Sequence, residues 1–240
     1  MRRAWRRIRD GLRVELFSRH FGYNFVVNYQ KNQNQSLALL CDQYGSDKGQ
    51  VSTSGRPYSG PAHTYTDMYS LLFDHCRHTV QNVFECGLGT NNPDLPSSMG
   101  IMGKPGASLR VWRDYFPNAS IFGADIDKDI LFQEERIRTG YLDQLNPSEI
   151  KAYWAEVGAV DFDLMVDDGL HTFEAGTCLF THSIDRLGPN GIYVIEDVDK
   201  SDLNAYRQFF EKQSCPVQFV TLFRPNKGLA DNSMIIIRKS

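Results

Sequence analysis

Short apolar runs alternate with helix-length segments along most of the chain. Four of these runs end in glycine or in acidic residues, namely "NVFECGLGT", "SIFGADID", "FDLMVDD" and "GIYVIED". Alternation of this kind predicts an α/β fold in which a parallel sheet is covered by helices on both faces. The runs "VQFVTLF" and "SMIIIRK" close the chain on either side of a loop that contains Pro225 and Gly228, and they predict an antiparallel hairpin.

A helix is predicted upstream of the first strand. In the segment "HTYTDMYSLLFDHC" the larger apolar residues recur at helical spacing, and these are Tyr65, Met68, Tyr69, Leu72 and Phe73. A loop rich in glycine and proline precedes this segment, and it contains Pro57 and Pro61.

The N-terminal segment is basic and amphipathic. Trp5, Ile8, Leu12 and Leu16 would lie along one side of a helix. The first turns also carry six arginines, which are Arg2, Arg3, Arg6, Arg7, Arg9 and Arg13. This helix either docks on its own domain or a dimer partner, or lies on an anionic lipid surface, or the segment is disordered. We assign residues 1–38 to this helix and its linker, and residues 39–240 to the α/β domain.

Composition fits one globular unit with a substantial core. The chain has 240 residues, of which 41% are hydrophobic and 12% aromatic. A net charge of −3 and a pI near 6.1 argue against a nucleic-acid partner. The five cysteines form no CxxC pair and favour a reducing cytosol. Since no apolar run approaches the roughly 18 residues of a membrane span, we expect a cytoplasmic protein, with peripheral contact to the inner membrane face through residues 1–20 as the alternative.

The glycine turn after the first predicted strand is the first sign of a ligand. Gly87 and Gly89 in "ECGLGT" allow a tight turn that brings backbone close to a ligand, and Asp125 could accept both hydroxyls of a ribose. A dinucleotide and S-adenosylmethionine both fit this pattern, as does a purely structural turn. The dinucleotide fingerprint is broken by Asn92, and the acidic Glu85 suits the positive charge of S-adenosylmethionine.

Seven blocks of sequence carry a more specific resemblance. They are "YGSDKG", "HTYTDMY", "FECGLGT", "GASLRVWRDYFPNASIFGADI", "YLDQLNP", "FDLMVDDGLH" and "GPNGIYVIEDV". In order and chemistry the chain resembles class I S-adenosylmethionine-dependent O-methyltransferases, and within them the metal-dependent sugar O-methyltransferases that tailor macrolide and aminocoumarin antibiotics. The resemblance runs from about Leu39 to the C-terminus. It implies a Rossmann-like fold with a mostly parallel, seven-stranded sheet that ends in the antiparallel hairpin.

The resemblance also implies which residues bind the cofactor. Glu85, Gly87 and Gly89 would line its methionine part, Asp125 would bind the ribose, and Asp143 and Gln144 would border the adenine. The segment "TNNPDLPSSMGIMGKP" is longer than expected for such relatives, and it forms either a lid or an exposed excursion. Asp47 and Lys48 either contact the cofactor or cap a turn.

Three acids are predicted to form a metal site. In a sheet of this family the strands "FDLMVDD" and "GIYVIED" should be neighbours, which would bring Asp168, Glu196 and Asp197 together. Three carboxylates this close repel one another unless a cation lies among them, and Mg²⁺ prefers such oxygen ligands. The resemblance assigns the metal to the same three residues. The alternative is that these acids cap helices or form loop salt bridges. Asp167 would face the other side of its strand and make structural hydrogen bonds.

His171 is the predicted general base, because histidine titrates near neutral pH and follows Asp168 by three residues. The resulting hypothesis is a methyltransferase that uses S-adenosylmethionine and Mg²⁺ to methylate a sugar hydroxyl in a glycan, a glycolipid or a glycosylated natural product. Two alternatives remain open: a catechol or other phenolic O-methyltransferase, and a catalytically silent cofactor-binding module. We also expect a homo-oligomer.

Overall fold

The computed structural model describes residues 35–52, 55, 57–58, 60–223 and 231–239. The predicted N-terminal helix and the loop that holds Pro225 and Gly228 lie outside the described residues. Of the helices in the described part of the chain, none combines the length and the apolar composition that a membrane crossing requires.

The described residues form six α-helices and eight strands. The helices are α1 (Ser36–Tyr44), α2 (Tyr65–Phe73), α3 (Ala107–Tyr115), α4 (Pro147–Val157), α5 (Phe173–Ser183) and α6 (Leu203–Phe210). The strands are β1 (Asn82–Cys86), β2 (Ser120–Asp125), β3 (Gln133–Glu134), β4 (Ile137–Tyr141), β5 (Phe162–Asp167), β6 (Leu187–Ile195), β7 (Val217–Thr221) and β8 (Ser233–Arg238). Short 3₁₀ turns lie at Lys128–Ile130 and Ile184–Arg186.

All eight strands belong to one sheet, in the order β3-β4-β2-β1-β5-β6-β8-β7. The five central strands are parallel, whereas β8 pairs antiparallel with both β6 and β7. The α/β class, the mostly parallel sheet and the C-terminal hairpin are therefore confirmed. The predicted number of seven strands is one too low, because the two-residue β3 pairs antiparallel with β4 at one edge. A strand of two residues leaves no periodic pattern to detect.

Alternating side chains on the strands build two cores, one on each face of the sheet. Val83 and Ile121 pack with α1, α2 and α3 on the first face, whereas Phe84 and Phe122 pack with α4, α5 and α6 on the second. This is the period of two expected when both faces of a sheet are buried. The predicted helix at Tyr65–Phe73 is confirmed, and it belongs to the first face.

The strand order reverses between β1 and β5, because the chain proceeds from β1 towards β2 and β4 and later returns to β5 and β6. A cleft opens at the carboxyl ends of the strands at this reversal, where sheets of this type bind ligands. The glycine turn, the acids and His171 all follow strands that end at this edge. The fold therefore places all of the predicted site residues except Glu85 on one cleft.

Candidate active site

The glycine turn brings two strand ends into close contact. Gly87 has a φ of +91°, and a side chain there would overlap the backbone carbonyl of Asp168, directly after β5. Gly89 has a φ of +79° and lies against the Met99 side chain. Only glycine meets both demands, a positive φ and no side chain, without strain. Both glycines line the cleft, and the backbone of the turn is open to a ligand there.

Asp125 lies at the end of β2 and also lines the cleft. Its Oδ2 accepts the backbone N–H of Leu88 at 2.7 Å, and its Oδ1 accepts that of Asp127 at 2.8 Å. Burial raises the pKa of Asp125, while these N–H donors lower it. The carboxylate is therefore held in one orientation at the cleft wall.

Asp143 and Gln144 line the same part of the cleft, just after β4. The Gln144 amide donates to Asp167 Oδ1 at 2.5 Å and accepts the backbone N–H of Leu170 at 3.0 Å. Asp167 is buried, and this hydrogen bond agrees with the structural role predicted for it. Burial also raises the pKa of Asp167 to about 6. Gln144 thus ties the cofactor side of the cleft to the β5 end.

Glu85 does not lie at the cleft wall, unlike the other predicted cofactor residues. It is fully buried on the first face of the sheet, where Oε2 accepts the indole N–H of Trp112 and Oε1 lies 3.4 Å from Lys48 Nζ. Burial raises the pKa of Glu85, and the Lys48 charge opposes that shift. Any contact of Glu85 with a cofactor would therefore have to be indirect.

Asp168, His171 and Asp197 form a cluster on the other side of the cleft. His171 Nε2 lies 3.3 Å from Asp168 Oδ1 and 3.6 Å from Asp197 Oδ2. One ligand atom from each of the three residues can be chosen so that all lie within 4.8 Å of one another. Burial lowers the pKa of His171, but the hydrogen bond with Asp168 and the charge of Asp197 outweigh it and raise the pKa to about 10.

Two residues of this cluster have unusual backbone conformations. His171 has a φ of +59° and Asp197 a φ of +51°, which side-chain-bearing residues seldom adopt. Such strain persists only where the surroundings impose it, and it concentrates at functional sites. Helix α5 is capped by Thr172, which accepts the N–H of Ala175, so Asp168 and His171 are not its caps. The helix-cap alternative therefore does not explain these two residues.

Glu196 is adjacent to Asp197 and also lines the cleft, but both of its carboxylate oxygens are bound by other side chains. Its Oε1 accepts the Tyr69 hydroxyl at 2.6 Å, and its Oε2 forms an ion pair with the Lys48 ammonium. The side chain is fully buried, and this burial raises its pKa. Of the three predicted metal ligands, Asp168 and Asp197 thus lie together, and Glu196 lies behind them with both oxygens occupied.

Lys48 is the buried cation of the site. Its Nζ lies 2.5 Å from Asp168 Oδ2, in addition to its ion pairs with Glu196 and Glu85. Burial alone would lower the pKa of Lys48, but the three carboxylates outweigh it and raise the pKa well above the usual value. The same ammonium lowers the pKa of Asp168, against the effect of burial. Lys48 and Asp168 are therefore charged at neutral pH.

Tyr65 and His63 hold Asp197 from the side of α2. The Tyr65 hydroxyl donates to Asp197 Oδ1 at 2.5 Å, and the His63 ring stacks on Tyr65 at 4.9 Å. His63 Nε2 lies 3.4 Å from Asp197 Oδ1 and 3.4 Å from Asp231 Oδ1. Burial lowers the pKa of His63, but the hydrogen bond with Asp231 and the charge of Asp197 raise it to about 9.

The donor set fits a hard divalent cation. Asp168 and Asp197 each offer a carboxylate oxygen, and these two oxygens lie within 4.8 Å of each other beside the cleft. A third acid, Glu196, stands directly behind them, and Asp47 also lines this part of the cleft. The acids outnumber the nearby cations, and a divalent ion would compensate them.

The long segment from Thr90 to Pro105 contributes to one wall of the cleft. Pro96, Ser98 and Met99 line it, whereas Ile101 and Met102 point to solvent. Part of the segment therefore lines the cleft, as a lid would, and part of it is an exposed excursion.

The sequence left the roles of three contact residues open. Lys48 was expected either to contact the cofactor or to cap a turn. Tyr65 and Tyr69 were expected to close over the active site, with a core position as the alternative for Tyr69, and neither was assigned as a partner of the acids. A signal for the tyrosines exists, since Tyr65 and Tyr69 are four residues apart and must share one face of a helix. No local pattern shows that Lys48 would meet acids 120 and 148 residues away.

The sequence was compared with known proteins. No family model matches it. A tetracenomycin rhamnosyl 2'-O-methyltransferase of Streptomyces olivaceus is 30% identical over 73% of this chain and 41% of its own length. The tetracenomycin 3'-O-methyltransferase of the same organism is 33% identical over 72% of this chain and 39% of its own length. Mycinamicin VI 2''-O-methyltransferase of Micromonospora griseorubida is 31% identical over 72% of this chain and 42% of its own length. The chain thus spans about two-fifths of the length of these curated relatives.

Solved structures with the same fold were also found. A crystal structure of the MycE methyltransferase from the mycinamycin pathway, in complex with Mg and SAH, superposes with a TM-score of 0.61. It is 24% identical in sequence, and the match covers 85% of this chain and 54% of that one. A putative caffeoyl-CoA O-methyltransferase from Staphylococcus aureus superposes with a TM-score of 0.51 at 12% identity. This chain therefore has the same fold as these two methyltransferases.

Proposed function

We propose that this chain transfers a methyl group from S-adenosylmethionine to a saccharide hydroxyl with the help of Mg²⁺. The chain belongs to the class I S-adenosylmethionine-dependent sugar O-methyltransferase family. The observation that carries the proposal is the position of the cluster of Asp168, His171 and Asp197 beside a glycine-turn cleft. A methyl donor in the cleft and an acceptor at the acids would then be neighbours. The two Streptomyces olivaceus relatives act on rhamnosyl compounds, which supports a saccharide acceptor.

We assign the cofactor to the side of the cleft formed by β1, β2 and β4. The backbone at Gly87 and Gly89 would approach the methionine part, Asp125 would accept the ribose hydroxyls, and Asp143 and Gln144 would border the adenine. Glu85 would act indirectly, by holding Lys48 and Trp112 beneath the turn. The sequence analysis expected Glu85 to contact the cofactor directly. The indirect role replaces that expectation because the Glu85 side chain is fully buried.

We assign the metal to Asp168, Asp197 and Glu196. Glu196 would become a ligand once one of its carboxylate oxygens is released by Tyr69 or Lys48. When bound, a divalent cation supplies positive charge that stabilises a developing alkoxide, much as metals lower the pKa of bound water from about 15.7 to about 7. Tyr65 would hold Asp197 in place through its 2.5 Å hydrogen bond. The acceptor hydroxyl would lie between these acids and the cofactor.

His171 would be the general base. The acceptor oxygen forms a bond to the methyl carbon as the carbon–sulfur bond breaks, and the hydroxyl proton passes to His171 Nε2. The Asp168 carboxylate, 3.3 Å from that nitrogen, would stabilise the imidazolium that results. Without a metal the pKa of His171 is raised to about 10, so the ring is protonated at neutral pH. A cation among the same acids would oppose that shift and favour the neutral base.

Contact of residues 1–20 with a membrane and assembly into a homo-oligomer remain predictions. They bear on the acceptor, because a membrane-bound enzyme would favour a lipid-linked or surface polysaccharide over a diffusible compound. Deletion of residues 1–20 should abolish binding to anionic vesicles if the N-terminal helix lies on lipid. Unchanged vesicle binding would exclude that role.

The experiment that tests the proposal is transfer of labelled methyl from S-adenosylmethionine into fractionated cell extract, with Mg²⁺ and with chelator. Label in a saccharide fraction that depends on Mg²⁺ is the expected result. Equal label in chelator would exclude the metal role, and label in a phenolic fraction would exclude the saccharide acceptor. Absence of label from every fraction, together with a failure to bind S-adenosylhomocysteine, would exclude the methyltransferase assignment.

A further inference from the structure

Lys48 takes no part in the proposed methyl transfer, yet its ammonium group lies among the acids of the site. Among the described residues it is the only buried lysine. Its ammonium group has three N–H donors and faces three carboxylates: Asp168 at 2.5 Å, Glu85 at 3.4 Å and Glu196 in a shorter ion pair. Lys48 follows α1, and its backbone carbonyl accepts the N–H of Thr66 on α2.

We infer that Lys48 is an internal counter-ion that competes with the divalent cation for Glu196 and Asp168. The inference rests on the proposed function, because it requires a metal at these acids. It makes Lys48 a positioning residue: it acts through the two carboxylates and has no role in the chemistry of methyl transfer.

The competition follows from how the carboxylate oxygens are used. Glu196 has one oxygen on Lys48 and the other on Tyr69, so it can become a metal ligand only by giving up one of these partners. Asp168 can serve both cations at once, since its Oδ2 faces Lys48 while its Oδ1 faces His171. Two cations that share one carboxylate repel each other, and burial strengthens this repulsion. Lys48 should therefore weaken metal binding.

The same contacts keep the site assembled when no metal is present. Glu85, Asp168 and Glu196 would otherwise be buried acids without a counter-ion, which is a costly arrangement. In the wild-type chain Lys48 compensates these charges when no metal is bound. Without Lys48, only a divalent ion could do so, and its binding would then be linked to stability. Removal of the lysine charge should thus tighten metal binding and make the fold depend on metal.

A direct test is Mn²⁺ binding, measured by electron paramagnetic resonance, in the wild-type chain and in Lys48→Met. We expect Mn²⁺ to bind about tenfold more tightly to the variant, and Mg²⁺ to raise its melting temperature more than that of wild type. Lys104→Met is the matched control, because Lys104 is an exposed lysine at the cleft and the substitution removes the same charge. Its Mn²⁺ affinity should change by less than about twofold. Unchanged or weaker Mn²⁺ binding in Lys48→Met would overturn the inference.

A second measurement needs no variant. The protected Lys48 ammonium should give a resolved signal in ¹H–¹⁵N spectra of lysine side chains, and Mg²⁺ should shift it as Glu196 changes partner. A signal that stays in place while Mg²⁺ binds would contradict the competition between Lys48 and the metal. This spectrum of the wild-type chain also tests the competition if Lys48→Met does not fold. If wild type binds neither Mn²⁺ nor Mg²⁺, the metal site itself is wrong and the inference fails with it. If wild type binds metal but Lys48→Met binds it no more tightly, only the role of Lys48 is wrong.

Discussion

The two sides of the cleft are built from different kinds of contact. On the cofactor side, Asp125 is held by backbone N–H groups of Leu88 and Asp127, which belong to the turns directly after β1 and β2. On the acidic side, Asp168, Glu196 and Asp197 are held by side chains from a segment more than 100 residues earlier in the chain. The first side depends on the shape of its strand ends, and the second depends on how distant elements pack.

This difference predicts that the two sides can be damaged separately. Loss of a side chain on the acidic side should reduce turnover and leave the cofactor bound. Loss of a side chain on the cofactor side should weaken cofactor binding and leave the chemistry nearly intact at saturation. Three measurements examine this separation, and a fourth examines how the acidic side contributes to stability.

Asp168→Asn should have the largest effect, because Asp168 is proposed to contact the metal and also pairs with Lys48. We expect methyl transfer to fall by about 10⁴-fold, since a metal supplies several kcal/mol of transition-state stabilisation. Affinity for S-adenosylhomocysteine, measured by calorimetry, should change by less than about threefold. Asp163→Asn is the control, since Asp163 lies at the opposite end of β5, where it accepts the backbone N–H groups of Gln81 and Asn82. Parallel loss of cofactor binding in Asp168→Asn would contradict the separation.

His171→Ala should come next, with a fall in turnover of about 10²-fold to 10³-fold, which lies within the usual range for a general base. Cofactor affinity should not change, because His171 is expected to contact the proton of the acceptor. Single-turnover rates with labelled cofactor are the measurement, and His182→Ala on α5 is the control. If turnover in His171→Ala matched that of wild type, another group would have to be the base.

Asp125→Asn tests the cofactor side. The variant keeps one carbonyl oxygen but loses the charge, and we expect about tenfold weaker binding of S-adenosylhomocysteine, the worth of one charged hydrogen bond. The turnover rate at saturating cofactor and the Mn²⁺ affinity should remain close to wild type. Asp127→Asn serves as the control, since Asp127 caps the 3₁₀ turn and hydrogen-bonds Thr90. A large loss of turnover at saturation would show that the two sides are not separable.

His63→Gln should have the smallest effect, and we expect it only in chelator. Because the pKa of folded His63 is raised to about 9 from a usual value near 6.5, its protonated form stabilises the fold. This stabilisation is fully present below pH 6.5 and is lost as the pH rises through about 9. The melting temperature of wild type should therefore fall more than that of His63→Gln across this range. Parallel curves for the two proteins would mean that His63 adds nothing to the pH dependence.

Some of this protein could be predicted from the sequence because the signals are local. Strand ends are marked by the change from apolar residues to glycine or acids, so the α/β class, the parallel sheet, the hairpin and the helix at Tyr65–Phe73 followed directly. The reversal of strand order then brought the glycine turn and the acids to one cleft, as parallel sheets require. Strand β3 was missed because two residues carry no period.

Tertiary structure alone decided the partner of each acid. Glu85 was expected beside the cofactor, but it shares the face of Val83 and is therefore directed at Trp112 on α3. Glu196 stays a proposed metal ligand, and only the fold shows that Tyr69 and Lys48 bind its two carboxylate oxygens. The physical reason is that a strand pattern fixes where a side chain leaves the backbone and on which face. Its charge partner is set by the packing of helices that lie far away in the sequence.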